Sequence, residues 1–390
     1  MKKIAIVHEW LITYAGSERV IEQLLQVFPE ADLFALFDFL PPQERGFLRG
    51  KPVHTSFLQN FPFINRKNYR LFLPLMPLAV EQLDFSDYEI VISNCHAVSK
   101  GVITGPDQLH IGYIHSPMRY AWDMQGSYLK QSGFGFLKGA AARLLLHYLR
   151  AWDVAASNRP DVLIANSRFI ARRVEKIYRR PSRVLYPPVD TDKFTPGAAR
   201  EDFYLAASRL VPYKRFDLIL EAFAAMPDKR LIVIGDGPDA PRLKKVNASN
   251  VRWLGYQPDE VLRDHMRRCK AFIFAAKEDF GIMPVEAQAC GAPVIAFGEG
   301  GLTETIVGPG GEAPTGVFFR PQTAEALREA IQTFEANADA FTVEHCRANA
   351  ERFSIPRFRK EIVELAEEEW RRFEGATSPM PSPEGRGGRK

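Results

Sequence analysis

The sequence predicts an α/β protein built from two doubly wound parallel sheets. Short apolar runs alternate along the chain with stretches of helical periodicity, which is typical of parallel strands flanked by helices. At 390 residues the chain is too long for one ordinary core, so two domains of roughly 150–200 residues are expected. The alternation occurs twice, which indicates two Rossmann-like domains that face each other across a cleft.

The first set of alternations occupies residues 1–187. Its strand-like runs are Ile4–His8, Glu89–Asn94, Leu109–Ile114 and Asp161–Asn166. A helix is predicted over Glu18–Val27. The consecutive prolines Pro187 and Pro188 disrupt regular structure, and we place the domain boundary between them.

The second set occupies residues 188–354. Its strand-like runs are Phe203–Ala207, Leu231–Ile234, Val251–Leu254, Ala271–Ala276 and Val294–Phe297. Helical patterns intervene at Phe216–Met226, Asp259–Cys269, Pro284–Ala289 and Thr303–Val307. Residues 355–375 are typical of one long amphipathic helix. The tail over residues 376–390 is rich in Pro, Ser and Gly, and we expect it to be disordered.

The amino-acid composition indicates the cellular compartment in which the protein is expected. Hydrophobic residues make up 46% and charged residues 25% of the chain, as in soluble globular proteins. Four scattered cysteines without a C-x-x-C pair favour the reducing cytosol over a disulfide framework or a zinc site. The start MKKIAIVHEW is too short and polar for a signal peptide. The longest apolar run, residues 71–80, is far below the ~20 residues that span a bilayer.

Basic and bulky apolar residues mix in residues 61–73, 137–152 and 172–180. Such mixtures can rest on anionic lipid headgroups, although each alone is also typical of a solvated helix face. Three of them in the N-terminal half favour a protein at the inner face of the cell membrane, in peripheral contact with anionic lipid. The net charge is only +4, and no nucleic-acid partner is expected.

Residues 277–306 carry the strongest functional signal. An apolar run leads into Glu278, and Gly281 and Pro284 precede Glu286. The order is therefore strand, acidic loop with a glycine, and helix start, where free N–H groups and the helix dipole bind anions. Gly281 allows the backbone to approach a ligand closely. Two carboxylates beside an anion-binding loop suit a ligand with phosphates and hydroxyls, such as a nucleotide-sugar.

This block resembles the E-x7-E signature of the retaining glycosyltransferases of family 4, which have the GT-B fold. The core GIMPVEA, the following CGAPVIA and then Gly300-Gly301 carry the resemblance. It implies that Glu286 accepts hydrogen bonds from the ribose and that Glu278 contacts the transferred sugar. Amides of Phe280, Gly281, Ile282 and Met283 would touch the sugar or the phosphates. Taken alone, either Glu could instead be an ordinary loop acid or offset a helix dipole. The resemblance also implies that the helix over residues 355–375 crosses back onto the first domain.

Two basic residues follow the strand FYLAA, at the sheet edge where open α/β sheets bind ligands. Arg209 and Lys214 resemble the family's diphosphate clamp, and Arg215 replaces a glycine that many relatives have. The alternative is two solvated basic residues at a helix entry. Gly235, in the loop after the strand LIVI, helps frame the donor site by resemblance. No D-x-D motif lies in a matching loop, so neither a metal nor another cofactor is expected.

The acceptor side is predicted in the first domain. Gly16 lies in AGSERV, which resembles the family's glycine loop with Ala15 in place of one glycine, and which could also be a simple helix start capped by Ser17. His115 begins HSPMRYAWD, a stretch similar to that of bacterial mannosyltransferases of O-antigen and exopolysaccharide assembly. RLVPYKRFDL and YPPVDTDKF are similar too. The resemblance implies GDP-mannose as donor and a lipid-linked saccharide as acceptor, with Glu278, His115, Arg209 and Lys214 as catalytic residues.

Three other functions fit parts of the pattern. A UDP-sugar-dependent enzyme of the same fold is the nearest alternative. A nucleotide-sugar epimerase on the same scaffold is disfavoured by the E-x7-E block together with RLVPYK. A degenerate sugar-nucleotide sensor is disfavoured because Arg209, Lys214, Glu278 and Glu286 are all intact.

Overall fold

The computed structural model describes residues 2–131, 133, 135–197, 199–246 and 248–377. It contains two parallel sheets, as the sequence predicts. The first has the strand order β3-β2-β1-β4-β5-β6-β7 and the second β10-β9-β8-β11-β12-β13. The strands are β1 Ile4–Leu11, β2 Asp32–Asp38, β3 Val53–Thr55, β4 Ile90–Cys95, β5 Leu109–Ile114, β6 Val162–Ala165, β7 Arg183–Val184, β8 Tyr204–Ala207, β9 Leu231–Ile234, β10 Val251–Gly255, β11 Ala271–Phe274, β12 Val294–Phe297 and β13 Gly316–Phe319.

Helices connect the strands of both sheets. They are α1 Gly16–Val27, α2 Met76–Glu81, α3 Gln125–Gln131, α4 Phe136–Ala156, α5 Arg168–Tyr178, α6 Phe216–Ala224, α7 Ala240–Leu243, α8 Asp259–Arg268, α9 Ile282–Ala289, α10 Leu302–Thr305, α11 Ala324–Ala336, α12 Val343–Glu351 and α13 Ile355–Thr377. Strand order reverses beside β1 in the first sheet and beside β8 in the second. The crevice outside the carboxyl ends of strands at such a switch point is where open α/β sheets bind ligands.

The buried core has separate clusters for the two sheets. The strands β1, β4 and β5 are almost wholly buried, which is typical of parallel strands covered on both faces. The last helix, α13, belongs to the first sheet's core, because Phe358 and Ile362 pack in the cluster that contains Ile6 and Leu24. The helix predicted over residues 355–375 is therefore present, and its apolar side covers the N-terminal sheet.

The structure changes two details of the expected elements. Helix α1 begins at Gly16 with Ala15 at its N-cap, so Ser17 is not the cap. The Glu18 carboxylate instead accepts the Ala15 N–H at 3.1 Å, as the glutamate of a capping box does. The tail expected to be disordered falls almost entirely on residues 378–390, outside the described residues, while Ala376 and Thr377 belong to α13. Among the described helices, none combines the length and apolar character needed to cross a membrane.

Candidate functional site

A cleft of about 640 Å³ lies between the carboxyl edges of the two sheets. The first sheet contributes the glycine loop before α1 and the loops after β4 and β5, while the second contributes the loops after β8 and β11. Nine of the residues singled out by sequence line it: Gly16, His115, Arg209, Lys214, Glu278, Phe280, Gly281, Ile282 and Met283. The fold thus brings together residues that are up to 267 positions apart, as Gly16 and Met283 are.

Lys214 and Glu278 face each other in the cleft. The Lys214 Nζ lies 2.6 Å from the Glu278 Oε1, and the two side chains are only 14% and 15% exposed. Arg209 is exposed and lines the same cleft. Within the described part of the chain, no carboxylate pairs with Arg209. Among the described residues, the site therefore offers Arg209 as a cation open to an anionic ligand and Lys214 as a cation that a ligand must share with Glu278.

Two glycine positions shape the loop that carries Glu278. Gly281 has φ +92° and precedes α9, and a Cβ there would lie 2.4 Å from the Leu302 side chain. Gly300 has φ +78°, and a Cβ there would lie 2.3 Å from the Glu278 carbonyl oxygen. Residues other than glycine rarely adopt this left-handed backbone conformation. Gly281 is thus required by its conformation and by packing against Leu302, besides any approach to a ligand.

Glu286 lies on α9 but is not among the residues that line the cleft. Its side chain is 3% exposed and forms an ion pair with Arg19 of α1. The negative charge of Glu286 raises the pKa of the Arg19 guanidinium, so the guanidinium stays charged at neutral pH. The second carboxylate of the signature therefore connects the two halves of the chain, which sequence reasoning did not anticipate.

Asp279, the residue after Glu278, makes a second connection between the halves. Its carboxylate pairs with Arg119, from the loop after β5, and lies 3.5 Å from Arg173 of α5. The Ser167 hydroxyl donates to the Asp279 carbonyl oxygen at 2.6 Å. Burial raises the pKa of Asp279, although both guanidinium groups favour its charged form. Neither Asp279 nor Arg119 was a predicted site residue, although both lie inside motifs that were recognised.

Glu304 of α10 makes a third connection. Its two oxygens accept the N–H groups of Arg168 and Phe169 at 2.7 Å each, at the first turn of α5. The Tyr186 hydroxyl donates to the same carboxylate at 3.1 Å. A carboxylate at this position satisfies unpaired N–H groups and offsets the helix dipole. The C-terminal half thus caps a helix of the N-terminal half.

His115 lies at the carboxyl end of β5, where it faces the cleft. Its Nε2 lies 2.7 Å from Asn94 Oδ1, while the Asn94 amide donates to the Ser17 carbonyl at 3.0 Å. Because an amide oxygen only accepts, Nε2 of His115 carries the proton and Nδ1 is left as an acceptor. Burial, together with the nearby His96 and His8, lowers the pKa of His115 to about 3. A neutral imidazole at this position can accept a hydrogen bond from a sugar hydroxyl.

His96 is a second cleft-lining histidine, and sequence reasoning missed it. Its Nδ1 lies 2.9 Å from Oε2 of Glu9, whose side chain is fully buried. The other Glu9 oxygen accepts the N–H groups of His96, Ala97 and Ser99. Burial opposes the charge of Glu9, but His96, His8 and these amides hold the pKa of its carboxyl well below the usual range. Glu9 therefore fixes the orientation of His96 at the cleft wall.

The remaining predicted glycines act through close packing. A Cβ at Gly16 would lie 3.1 Å from the Ile282 side chain, so the glycine loop and the start of α9 approach each other closely. Gly235 does not line the cleft. It has φ +138°, and a Cβ there would lie 1.9 Å from the Ser208 carbonyl oxygen. Gly235 therefore supports the loop that carries Arg209.

Comparisons with known proteins fit this architecture. Residues 14–193 match the family model described as Glycosyltransferase Family 4, and residues 189–353 match that of Glycosyl transferases group 1. The chain thus carries both domains of a GT-B glycosyltransferase fold. D-inositol 3-phosphate glycosyltransferase of Mycobacteroides abscessus is 31% identical over 197 residues, 44% of this chain and 43% of that protein. The chain spans less than half the length of this relative.

A second relative and two solved structures extend the comparison. The GDP-mannose-dependent alpha-(1-6)-phosphatidylinositol monomannoside mannosyltransferase of Mycolicibacterium smegmatis is 28% identical over 206 residues, 45% of this chain and 53% of that protein. Anabaena HepE in complex with UDP and glucose has a TM-score of 0.67 at 18% identity, over 94% of this chain and all of that one. Sucrose-phosphate synthase from Thermosynechococcus elongatus has a TM-score of 0.71 at 16% identity, over 95% of this chain and all of that one. These structures establish the fold.

Proposed function

We propose that the protein is a retaining glycosyltransferase that transfers a hexose from a nucleotide-sugar without a metal ion. The observation that carries this proposal is the pairing of Lys214 with Glu278 beside Arg209 at the carboxyl ends of β8 and β11. Residues 1–187 would hold the acceptor and residues 188–354 the donor, with α13 completing the acceptor domain. The two family models divide the chain at nearly the same place, one ending at residue 193 and the other beginning at residue 189.

The proposed chemistry follows from where charge develops. The bond between the anomeric carbon and the donor diphosphate breaks, and negative charge grows on the leaving phosphate. Arg209, Lys214 and the N–H groups at the start of α9 would stabilise that charge, as fixed donors do in an oxyanion hole. The acceptor hydroxyl attacks from the same face and its proton passes to the departing phosphate. No second carboxylate is needed as a nucleophile, and no metal is needed to neutralise the diphosphate.

The two glutamates have separate proposed roles. Glu278 contacts the sugar hydroxyls, and its place in the cleft supports this role. Glu286 accepts hydrogen bonds from the ribose through the oxygen that Arg19 leaves available, since only Oε1 is paired with the guanidinium. The neutral His115 accepts a hydrogen bond from the transferred sugar or the incoming acceptor.

GDP-mannose is the proposed donor. The similarity of HSPMRYAWD and YPPVDTDKF to bacterial mannosyltransferases supports mannose, and the mycobacterial relative is named as GDP-mannose-dependent. A UDP-sugar is the second candidate, because HepE of the same fold binds UDP and glucose. Thermal unfolding with GDP, UDP, ADP and TDP tests the base: a true ligand at a hundredfold excess over its Kd stabilises by about 2.7 kcal/mol. Stabilisation by UDP alone would favour the second candidate.

Incubation of the donor without acceptor tests the reaction class. A transferase is expected to hydrolyse GDP-mannose slowly, whereas an epimerase would return an epimerised sugar. A sensor would bind the nucleotide-sugar and leave it intact. Product analysis of the same incubation therefore separates the three functions.

The proposed acceptor is a lipid-linked saccharide at the inner face of the cell membrane. Large apolar side chains of the N-terminal half are open to solvent, as shown by the exposure of Phe63 (91%), Phe136 (89%) and Leu137 (80%). Lys138 and Arg143 are exposed on α4, the helix that also carries Phe136 and Leu137. Apolar and basic side chains together suit an anionic lipid surface. Cosedimentation with vesicles with and without phosphatidylglycerol tests this contact, and equal binding to both would contradict it.

A further inference from the structure

A cationic groove of about 580 Å³ lies on the N-terminal half, outside the cleft. It is bordered by the loop after β5, by Arg150 of α4 and by one side of α5. Five cationic side chains and one acidic side chain line it: Arg150, Arg172, Arg173, Lys176, Arg179 and Asp123. Trp122, Phe169 and Ile177 form apolar parts of its wall.

Most of this positive charge has no acidic partner among the described residues. Arg173 pairs with Asp123 and also reaches Asp279. Arg150 donates to two neutral oxygens, the Ala121 carbonyl at 2.9 Å and the Gln125 side chain at 2.7 Å. Among residues 2–131, 133, 135–197, 199–246 and 248–377, no carboxylate lies within ion-pair distance of Arg172, Lys176 or Arg179.

The unpaired cations share one exposed side of α5. Arg168, Arg172 and Lys176 follow each other at intervals of four residues, and Arg179 comes three residues later. Like charges at this spacing destabilise a helix. A solvated helix normally alternates the sign of its charges, but Glu175 is the one acid in α5. An anionic ligand would remove this repulsion.

Residues that line the groove and residues that line the cleft meet around a third cavity. This smaller cavity has a volume of about 240 Å³. It shares Arg119, Tyr213 and Asp279 with the cleft, and Asp123, Phe169 and Arg173 with the groove. The Arg173 guanidinium also donates to the hydroxyl of the cleft-lining Ser116 at 2.9 Å. A molecule held in the groove can therefore extend toward the donor site.

We propose that this groove binds the diphosphate group through which the acceptor saccharide is attached to its lipid, an inference that rests on the proposed transferase function. Guanidinium groups present donors in a fork that matches phosphate oxygens. The apolar wall suits the carbon skeleton on either side of the phosphates. A diphosphate diester carries two negative charges, and the three cations Arg172, Lys176 and Arg179 would neutralise them. The groove would hold the acceptor while the smaller cavity leads its terminal sugar to Glu278.

The test compares two charge-matched double variants. In Arg172→Gln/Lys176→Gln both side chains are exposed and unpaired, so folding should be unaffected. Lys244→Gln/Lys245→Gln removes the same charge from two exposed lysines after α7 that line none of the cavities described above. Inorganic pyrophosphate is titrated calorimetrically into each protein after the donor clamp is saturated with GDP, or with UDP if only that nucleotide binds. The parent and control should bind it within twofold of each other, and the groove variant at least tenfold more weakly.

Binding to vesicles that contain phosphatidylglycerol tests whether the groove binds a diphosphate or the phosphate of a lipid headgroup. The proposal assigns Arg172 and Lys176 to the groove and not to the lipid contact expected for residues 172–180, so the groove variant should keep its vesicle binding while it loses pyrophosphate binding. Equal pyrophosphate binding by variant and parent would overturn the inference. Loss of vesicle binding, alone or together with pyrophosphate binding, would also overturn it, because the groove would then serve lipid headgroups or act through charge alone.

Donor hydrolysis separates this inference from the proposed function. Hydrolysis by water does not use the acceptor, so the groove variant should hydrolyse the nucleotide-sugar at the parent rate. A parent that binds pyrophosphate in the groove but hydrolyses no nucleotide-sugar would contradict the transferase proposal. A parent that hydrolyses the donor but shows no groove-dependent pyrophosphate binding would contradict the acceptor site alone.

Discussion

The ion pair between Arg19 and Glu286 should contribute to stability as well as to donor binding. The two residues lie 267 positions apart, and their side chains are 25% and 3% exposed. Exposed pairs are worth about 0.2–1 kcal/mol, whereas breaking a buried pair costs about 3–5 kcal/mol. Because only the carboxylate is fully buried, we expect Glu286→Gln to lower the free energy of unfolding by about 2–3 kcal/mol.

A double-mutant cycle isolates the pair. Arg19→Gln, Glu286→Gln and the double variant are unfolded in urea, followed by circular dichroism and by tryptophan fluorescence, whose coincidence verifies a single transition. We expect a coupling free energy of about 1–2 kcal/mol, since both substitutions remove a charge that the other residue needs. The matched control is the pair Lys360–Glu364 on α13, which is 75% and 61% exposed and should couple by less than about 0.5 kcal/mol. A coupling no larger than that of the control would refute the reasoning.

The same variants report on the donor. If Glu286 holds the ribose in both the ground and transition states, Glu286→Gln chiefly raises the donor KM and leaves kcat nearly unchanged. Arg19→Gln should raise KM less, because the guanidinium orients the carboxylate without touching the ribose. A fall in kcat with unchanged KM would contradict the proposed role of Glu286.

Further outcomes are expected for Lys214 and metal removal, for Glu278 and for His115. Lys214→Ala should cost about 2–4 kcal/mol of transition-state stabilisation, as loss of an oxyanion donor does. The parent enzyme should keep its activity in EDTA. Loss of activity in EDTA and its recovery with magnesium would contradict the proposed role of Arg209 and Lys214. Glu278→Gln should chiefly lower kcat, because positive charge develops on the sugar that it contacts, so steady-state kinetics showing only a raised KM would refute its role. His115 has a pKa of about 3 in the folded protein and about 6.5 when unfolded. Because the unfolded chain takes up the proton more readily, the contribution of His115 to stability is fully present above pH 6.5 and is lost progressively as the pH falls toward 3. The NMR signal that disappears in His115→Asn should therefore not titrate between pH 8 and 5.

The fold and much of the cleft could be predicted because they depend on local patterns. The run Leu109–Ile114 was predicted with the bounds of β5, and Val294–Phe297 with those of β12, since short apolar runs between polar residues are typical of buried parallel strands. The strand β2, Asp32–Asp38, was missed: its sequence DLFALFD contains Ala and two Leu, which also favour helices. The helix α5 was noted only as a basic and apolar mixture, because its charges conceal the buried Ile170 and Val174.

The backbone at Arg215 adopts a conformation that explains why related sequences can have a glycine at this position. Arg215 stands where the resemblance places a glycine, and the structure gives it φ +56°. That left-handed conformation costs a non-glycine residue roughly 1–2 kcal/mol. Its guanidinium bonds Gln322 at 2.9 Å and lies beside Asp217, which offsets part of the cost. Lys214, the preceding residue, lies 2.6 Å from Glu278 in this arrangement.

The sequence by itself determined the two parallel sheets and nine of the residues that line the cleft, because strand periodicity and the order of strand, glycine loop and helix depend on neighbouring residues. Only the tertiary structure decided which charges meet. Arg19 pairs with Glu286, Arg119 with Asp279, and Glu304 caps α5, and each contact joins segments more than 130 positions apart. Such pairings have no local signature, since any of the chain's 51 basic residues could in principle meet any of its 47 acidic ones. The packing of two folded halves selects the partners, and burial then gives each pair its strength.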